Sequence, residues 1–156
     1  MQADSLRYHQ RIDPFLQAAL EEARLGLREG GVPIGSVLVC DGAIIGRGHN
    51  QRVQRESVIH HAEMNCLENA GRQKADVYRR CTIYSTLSPC PMCSGAIVLY
   101  GIPRVVIGEN VTFQGAEDYM RANGIQVEVV QSDECIALMR DFIRDHPELW
   151  NEDIGV

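Results

Sequence analysis

The segment formed by residues 81–108 constrains the fold more than any other part of this sequence. Residues 81–86 and 104–108 are short β-branched stretches, and each is predicted to be a strand. The stretch between them, 91–100, is predicted to be a helix, and Ser88-Pro89 ends the strand that precedes it. Strand, helix and strand in this order form a β-α-β unit, which indicates an α/β protein.

Two further strands are predicted before this unit. Asp13 and Pro14 begin a helix that extends to about Glu29, because a capping carboxylate followed by proline is typical of a helix start. Residues 34–40 and 43–48 are predicted strands, and the Asp41-Gly42 pair between them favours a tight hairpin turn. An antiparallel pair of strands is therefore expected at one edge of the sheet.

The other helical and β patterns complete a single domain over residues 1–156. A helix is predicted from about His61 towards Gly71, and a helix, a strand and a helix are predicted at 116–122, 125–131 and 133–144. We therefore expect an α/β fold, a three-layer α/β/α sandwich with a mixed five-stranded sheet.

Length and charge narrow the range of functions. A chain of 156 residues suits one domain with one core, and its 45% hydrophobic and 23% charged residues are ordinary for a globular protein. The net charge is −6 and the basic residues are scattered, so a site for long nucleic acid is not expected and a small substrate is favoured. No apolar run approaches the roughly 18 residues that span a membrane, and a cytoplasmic location with reduced cysteines is expected.

Three residues are predicted to bind one zinc ion per subunit. Cys90 and Cys93 are three positions apart at a helix start, a spacing that presents both sulfurs to one side. His61 supplies a third ligand, and three protein ligands leave the fourth position of a tetrahedral zinc ion to water. Zinc lowers the pKa of that water to about 7, and Glu63 is predicted to carry its proton as a shuttle rather than to act as a ligand.

Other interpretations of these residues remain open. His61 could cap a helix, Glu63 could be a solvated helix residue and the cysteines could be buried, but five positions would then coincide by accident. A redox disulfide would leave His61 and Glu63 without a role. A zinc-stabilised scaffold or binding protein would hold its metal with four protein ligands instead of three. The histidines at positions 9, 49, 60 and 146 give no independent signal.

The sequence resembles a known family of enzymes. Residues 61–63 and 89–93 match the H-x-E and P-C-x-x-C signature of zinc deaminases. Longer stretches resemble the fungal cytosine deaminases from about residue 15 to the C-terminus: EGGVPIG at 29–35, GRGHN at 46–50, TLSPC at 86–90, YGIPR at 100–104 and WNEDIG at 150–155.

This resemblance implies a homodimeric enzyme of pyrimidine salvage that converts free cytosine and water to uracil and ammonia, with the tail 147–156 closing the active site. It implies that the Asn50 side chain binds the pyrimidine, that the Ala62 backbone N–H binds the ring carbonyl and that the Asp153 carboxylate binds the base edge. The implied walls of the site are Phe113, Trp150, Leu87, Ser88 and Ile34. Aromatic faces with a few fixed polar groups suit a flat heterocycle.

Three departures from the family pattern bear on substrate identity. Ala62 replaces a glycine, the hairpin at Asp41-Gly42 is shorter, and Asn151 stands where an aromatic residue is usual. Isocytosine, guanine or another aminated heterocycle therefore remains an alternative substrate. A nucleoside or tRNA is less favoured, because a closing tail leaves no outlet for a sugar and the net charge is negative.

Overall fold

A mixed five-stranded sheet forms the centre of the molecule in a computed structural model that describes residues 13–156. The elements in chain order are α1 (Pro14–Arg28), β1 (Gly35–Cys40), β2 (Ala43–His49), α2 (Ala62–Ala70), α3 (Ala75–Tyr78), β3 (Cys81–Ser85), α4 (Pro91–Tyr100), β4 (Arg104–Ile107), α5 (Glu117–Ala122), β5 (Gln126–Val129), α6 (Asp133–Asp145) and α7 (Pro147–Asp153). The strand order is β2-β1-β3-β4-β5. β1 is antiparallel to both neighbours, whereas β3, β4 and β5 are parallel, which confirms the predicted mixed sheet.

The sequence signals for the first helix and the hairpin are confirmed. The Asp13 side chain accepts hydrogen bonds from the backbone N–H groups of Phe15 and Leu16, and Pro14 occupies the first turn. Asp41 and Gly42 have φ angles of 51° and 80°, so both central residues of the turn are left-handed. A turn of this kind matches the right-handed twist of the two strands that it joins.

Helices cover both faces of the sheet and make three layers. On one face, Leu16 and Ala19 of α1 pack on Val37, Tyr84 and Val106 of the strands. Residues of α2, α4 and α5 pack on the other face: Cys66, Ile97 and Met120 contact the core that contains Leu38 and Ile83. An ion pair of 2.8 Å between Arg24 and Glu134 joins α6 to α1. The predicted α/β/α sandwich is therefore confirmed.

Two glycines allow helices to approach the hairpin closely. A Cβ atom on Gly35 would overlap the carbonyl oxygen of Ala19 in α1, and one on Gly48 would overlap the Asn65 side chain in α2. These contacts fix the hairpin between α1 and α2, and they place the end of β2 beside the first turn of α2.

Two helices were not predicted. The four-residue α3 is too short to show a periodic pattern, and α7 lies in the tail that was expected only as a closing segment. Pro147 in the first turn of α7 is the sequence signal for this helix, because proline suits that position. Within residues 13–156, no helix combines the length and apolar character that crossing a membrane requires.

Candidate active site

The first turns of α2 and α4 bring three metal-ligating side chains together. His61 is the N-cap of α2, Cys90 is the N-cap of α4, and Cys93 lies in the first turn of α4. The Nδ1 atom of His61 lies 3.4 Å from the Sγ of Cys90 and 3.7 Å from the Sγ of Cys93. The three ligand atoms all lie within 4.8 Å of one another, so these residues are positioned to bind a metal ion.

The spacing of these atoms fits a tetrahedral zinc ion. Zinc binds imidazole nitrogen at about 2.0 Å and thiolate sulfur at about 2.3 Å, and a tetrahedral angle then separates nitrogen from sulfur by about 3.5 Å. The two distances from His61 lie on either side of that value. The cluster found within residues 13–156 has three members, which is the ligand number of a catalytic zinc site rather than of a closed structural one.

The sulfur atoms of the cluster differ in charge. Hydrogen bonding by the Cys93 side chain, helped by His61 and opposed by burial, lowers the pKa of Cys90 to about 4. Cys90 is therefore a thiolate at neutral pH, which is the form that binds metals. The pKa of Cys93 is raised by its hydrogen bond to Cys90 and by burial.

His61 also holds a proton in this arrangement. Burial lowers the pKa of His61, but its hydrogen bond to Cys90 and the charges of Asp153 and Glu63 outweigh burial and raise the pKa to about 9. A metal ion needs an unprotonated imidazole nitrogen and deprotonated thiols. Metal binding at this site therefore releases protons.

Glu63 lies beside the cluster, in the same cavity as His61 and Cys90. Its side chain is buried, and the hydroxyl of Ser85 donates a hydrogen bond of 2.6 Å to Oε1. Burial raises the pKa of Glu63, and the Ser85 hydrogen bond and the His61 charge oppose that rise. A carboxyl group whose pKa is raised towards neutrality is suited to accept a proton and return it.

Seven of the eight residues predicted to contact substrate line this cavity. Its full lining is Ile34, His61, Ala62, Glu63, Leu87, Ser88, Cys90, Phe113, Trp150, Asp153 and Ile154. Phe113 and Trp150 meet edge to face, with ring centroids 5.6 Å apart and planes at 84°. As the first residue of α2, Ala62 directs a backbone N–H that has no acceptor within its own helix. The cavity thus combines aromatic walls with a fixed donor.

Asn50, the eighth residue, is fully buried behind Asp153. Its Nδ2 donates a hydrogen bond of 2.6 Å to Oδ1 of Asp153, and Oδ2 of Asp153 lies 3.5 Å from Nε2 of His61. Nδ1 of His61 faces the two sulfurs, and the Asp153 carboxylate lies on the Nε2 side of the ring, where the outer partner of a metal-binding histidine is usually found. Asp153 of α7 therefore connects the tail to both Asn50 and the metal cluster.

Sequence reasoning missed three residues that shape the site. Ser85 orients Glu63, and Ile154 adds an apolar side chain to the cavity. Glu117, which is buried, accepts a hydrogen bond of 2.6 Å from the hydroxyl of Ser88. The position of Ser85 at the carboxyl end of β3 was an available signal, because sites in α/β folds lie at that edge. Nothing in the sequence relates Glu117 to Ser88.

Comparison with known proteins gives consistent matches. The family model of the cytidine and deoxycytidylate deaminase zinc-binding region matches residues 9–109. A cytosine deaminase of Candida albicans is 53% identical over 141 residues, which are 90% of this chain and 94% of that protein. A tRNA-specific adenosine deaminase of Streptococcus pyogenes is 39% identical over 145 residues, 86% of this chain and 91% of that protein.

Solved structures share the fold. A structure from a study of A-to-I editing by tRNA:A34 deaminases has a TM-score of 0.69 and 29% identity, with 80% of this chain and 97% of that chain covered. A guanine deaminase from Nitrosomonas europaea has a TM-score of 0.67 and 23% identity, with 82% of each chain covered. At this lower identity, the likeness bears on the fold alone.

Proposed function

Because this chain belongs to the cytidine and deoxycytidylate deaminase family, whose zinc-binding region it contains, we propose that it hydrolyses free cytosine to uracil and ammonia. The observation that carries this proposal is the polar pair of Asn50 and Asp153, in which the Asp153 carboxylate lines an aromatic-walled cavity beside the zinc ligands and Asn50 holds it from behind. Such a pair offers donors and acceptors to the edge of a small ring. The cytosine deaminase of Candida albicans is similar over nearly its whole length, which supports the same base here.

Coverage of the cavity by the tail supports a free base over a nucleoside or tRNA. Trp150 and Asp153 of α7 are 6% and 8% exposed, and Ile154 follows them into the cavity lining. A sugar attached to the base would need an opening through this segment. The net charge of −6 also gives little attraction for a phosphate backbone. We therefore assign the tail the role of closing the site.

The proposed mechanism assigns a task to each group in the cavity. His61, Cys90 and Cys93 would hold the zinc ion, which would lower the pKa of a water molecule so that hydroxide is available as the nucleophile at neutral pH. Glu63 takes a proton from that water and delivers it to ring N3 as oxygen adds to C4. Glu63 then takes the proton of the new C4 hydroxyl and passes it to the amino group, and breakage of the C4–N bond releases ammonia and leaves uracil.

The other groups hold the ring for this proton transfer. The side chains of Asn50 and Asp153 bind the base edge, and the backbone N–H of Ala62 donates to the ring carbonyl. Phe113 and Trp150, which contact each other edge to face, supply an aromatic wall for the flat ring. The Ser85 hydroxyl keeps Glu63 directed into the cavity, so that the proton moves over hydrogen-bonding distance.

Ammonia release from a panel of bases tests the substrate and the shuttle together. The panel is cytosine, 5-methylcytosine, isocytosine, guanine, adenine and cytidine, assayed with zinc-loaded protein. We expect cytosine to react fastest. We expect Glu63→Gln to keep its zinc and lose at least about 100-fold in kcat, because general acid–base catalysis contributes on that order.

The matched control for this variant is Glu134→Gln, which changes an exposed carboxylate on α6 and should keep full activity. Faster turnover of another base would replace cytosine as the substrate but leave the zinc chemistry in place. Near-normal turnover by Glu63→Gln would rule out the shuttle role. No turnover of any base would favour a zinc-stabilised scaffold.

We also infer that two copies of this chain pair through α2 and α4. Helix α4 is apolar on nearly all sides, yet only one side packs on the sheet, so Leu99 is 73% and Tyr100 44% exposed. These residues border a groove whose floor includes Met64 and Leu67 of α2. The groove also carries charged side chains of both signs, among them Glu68 and Arg72, and an apolar helix end beside such a mixed groove suits a self-complementary interface. Pyrimidine salvage is the proposed role of such an enzyme, and the cytoplasmic location stays a prediction.

A further inference from the structure

A buried histidine at the end of β2 contacts two carboxylates at once. His49 is 6% exposed, and its Nδ1 lies 2.8 Å from Oε2 of Glu22 in α1. Its Nε2 lies 2.6 Å from Oε1 of Glu29, the residue that caps the C-terminus of α1. The first distance is typical of a charge-assisted hydrogen bond, and the second is slightly shorter than that range.

The two contacts define the protonation state of the ring. A neutral imidazole has one N–H group, so one of its nitrogens would direct a lone pair at a carboxylate oxygen. An imidazolium donates from both nitrogens and satisfies Glu22 and Glu29 together. Arg47 donates to the second oxygen of Glu22 at 2.7 Å, so two positive groups then balance two negative ones. A neutral His49 would leave two carboxylates against one guanidinium, and of these groups Glu22 is largely buried with the ring, whereas Glu29 and Arg47 are partly exposed.

The position of Glu29 also favours a cation nearby. A carboxylate at the C-terminal end of a helix is disfavoured by the partial negative charge of the unpaired carbonyl groups there. Glu29 is in that position on α1, and His49 is the cation that it meets. The hydrogen bond to Glu22, followed by the one to Glu29, raises the pKa of His49 against the effect of burial. The pKa of Glu22 is lowered in turn, foremost by His49.

The remaining groups around His49 leave this charge balance unchanged. α2 contributes the neutral amide of Asn65, and burial raises the pKa of Cys66 on that helix to about 12, so its thiol stays neutral. The loop between β2 and α2 contributes the neutral amide of Gln54. Glu21 of α1 lies 3.7 Å from Arg47 and is exposed to solvent.

The cluster of His49, Glu22 and Glu29 contacts the chain before and after Asn50, which directly follows His49. The backbone N–H of His49 donates to Oδ1 of Asn65 at 3.0 Å. The amide nitrogen of Gln54 lies 3.3 Å from Oε1 of Glu29 and 3.2 Å from the carbonyl oxygen of Asn50, and it donates to both. Glu29 therefore holds both His49 and the Gln54 side chain of the loop after Asn50 at the C-terminal end of α1.

We propose that His49 is held as an imidazolium between Glu22 and Glu29 and acts as a positioning residue, which fixes Asn50 for binding of the base. The substrate-binding role of Asn50 rests on the proposed function, whereas the charge of His49 does not. Without this charge, Glu22 and Glu29 repel each other across the ring, and the loop that Glu29 and Gln54 hold is released. Asn50 then loses its fixed direction towards Asp153, and substrate affinity falls before the chemical step does.

Nitrogen NMR of the zinc-loaded protein, labelled with ¹⁵N-histidine, tests the charge without any substrate. We expect both ring nitrogens of His49 to be protonated at pH 7.5, above the usual histidine pKa of about 6.5. In Glu29→Gln, the amide can donate to Nε2, so we expect the neutral ring to appear at lower pH. Glu21→Gln removes a carboxylate from the same helix without touching His49 and should leave its titration unchanged. A singly protonated ring in the unmodified protein at pH 7.5 would overturn the proposal.

Steady-state kinetics of the same variants tests the positioning role. We expect Glu29→Gln to raise KM for cytosine about tenfold, as one charge-assisted contact is lost, and to change kcat less than about twofold. Glu29→Asp keeps the charge and should recover part of this loss, and Glu21→Gln should match the unmodified protein. An unchanged KM in Glu29→Gln, in which NMR shows a neutral His49, would overturn the positioning role. If the unmodified protein does not act on cytosine, the proposed function fails while the NMR result stands separately.

Discussion

At the scale of single residues, hydrogen bonds between buried side chains hold the polar groups of the site in place. Ser85 holds Glu63, Asp153 contacts both His61 and Asn50, and Glu117 holds Ser88. Buried polar groups need such partners, because an unpaired one costs about 1–3 kcal/mol. The sequence signature and the family resemblance predict the groups that contact metal or substrate, but the partners of these groups are distant along the chain and carry no motif.

Replacement of Ser85 by alanine should separate proton transfer from binding. The variant loses the hydrogen bond that directs Oε1 of Glu63, so we expect kcat to fall about tenfold with KM and zinc content unchanged. Ser36 is the cross-strand partner of Ser85 and is equally buried, but its hydroxyl donates to the carbonyl oxygen of Tyr84. Ser36→Ala is therefore the control, and comparable kcat losses in the two variants would contradict the role of Ser85.

At the scale of elements, α7 shows how a short helix can gain its position from tertiary contacts. Seven residues are too few for a stable isolated helix, so packing must hold α7 in place. Trp150 packs in the cluster that contains Val32, Met139 and Phe142, and Asp153 meets Asn50 on its other side. The helix therefore depends on the same contacts that place Trp150 and Asp153 in the cavity lining.

Substitution of Trp150 tests this dependence. Trp150→Ala should destabilise the protein by about 3 kcal/mol, as removal of a large buried aromatic side chain does, and raise KM for the base more than tenfold. Trp150→Phe retains an aromatic wall against Phe113 and should lose less in both respects. Urea unfolding and steady-state kinetics measure the two effects. A KM close to normal in Trp150→Ala would show that α7 does not wall the substrate.

At the scale of the whole molecule, local signals predicted most of the fold. The strands, the hairpin turn and the long helices follow from period, caps and turn residues, and the three zinc ligands follow from residue types and spacing that match a known signature. Asn50 and Asp153 are 103 positions apart, and their pairing depends on how the layers assemble. The charged contacts of His49 gave no sequence signal for the same reason, since Glu22 and Glu29 approach it only after α1 packs on the hairpin.

Assembly is the property of the whole molecule that a single surface substitution can test. If α4 pairs with a second copy, Leu99→Arg places a charge in the apolar contact and should give a monomer. The control is Leu27→Arg on α1, which changes an exposed leucine on the opposite layer and should leave the protein dimeric. Sedimentation velocity over a range of concentrations distinguishes these states. Because α4 carries Cys90 and Cys93 at its other end, the monomer should also lose zinc more readily to a chelator. A monomeric unmodified protein, or a dimer that survives Leu99→Arg, would show that this face pairs with no second copy.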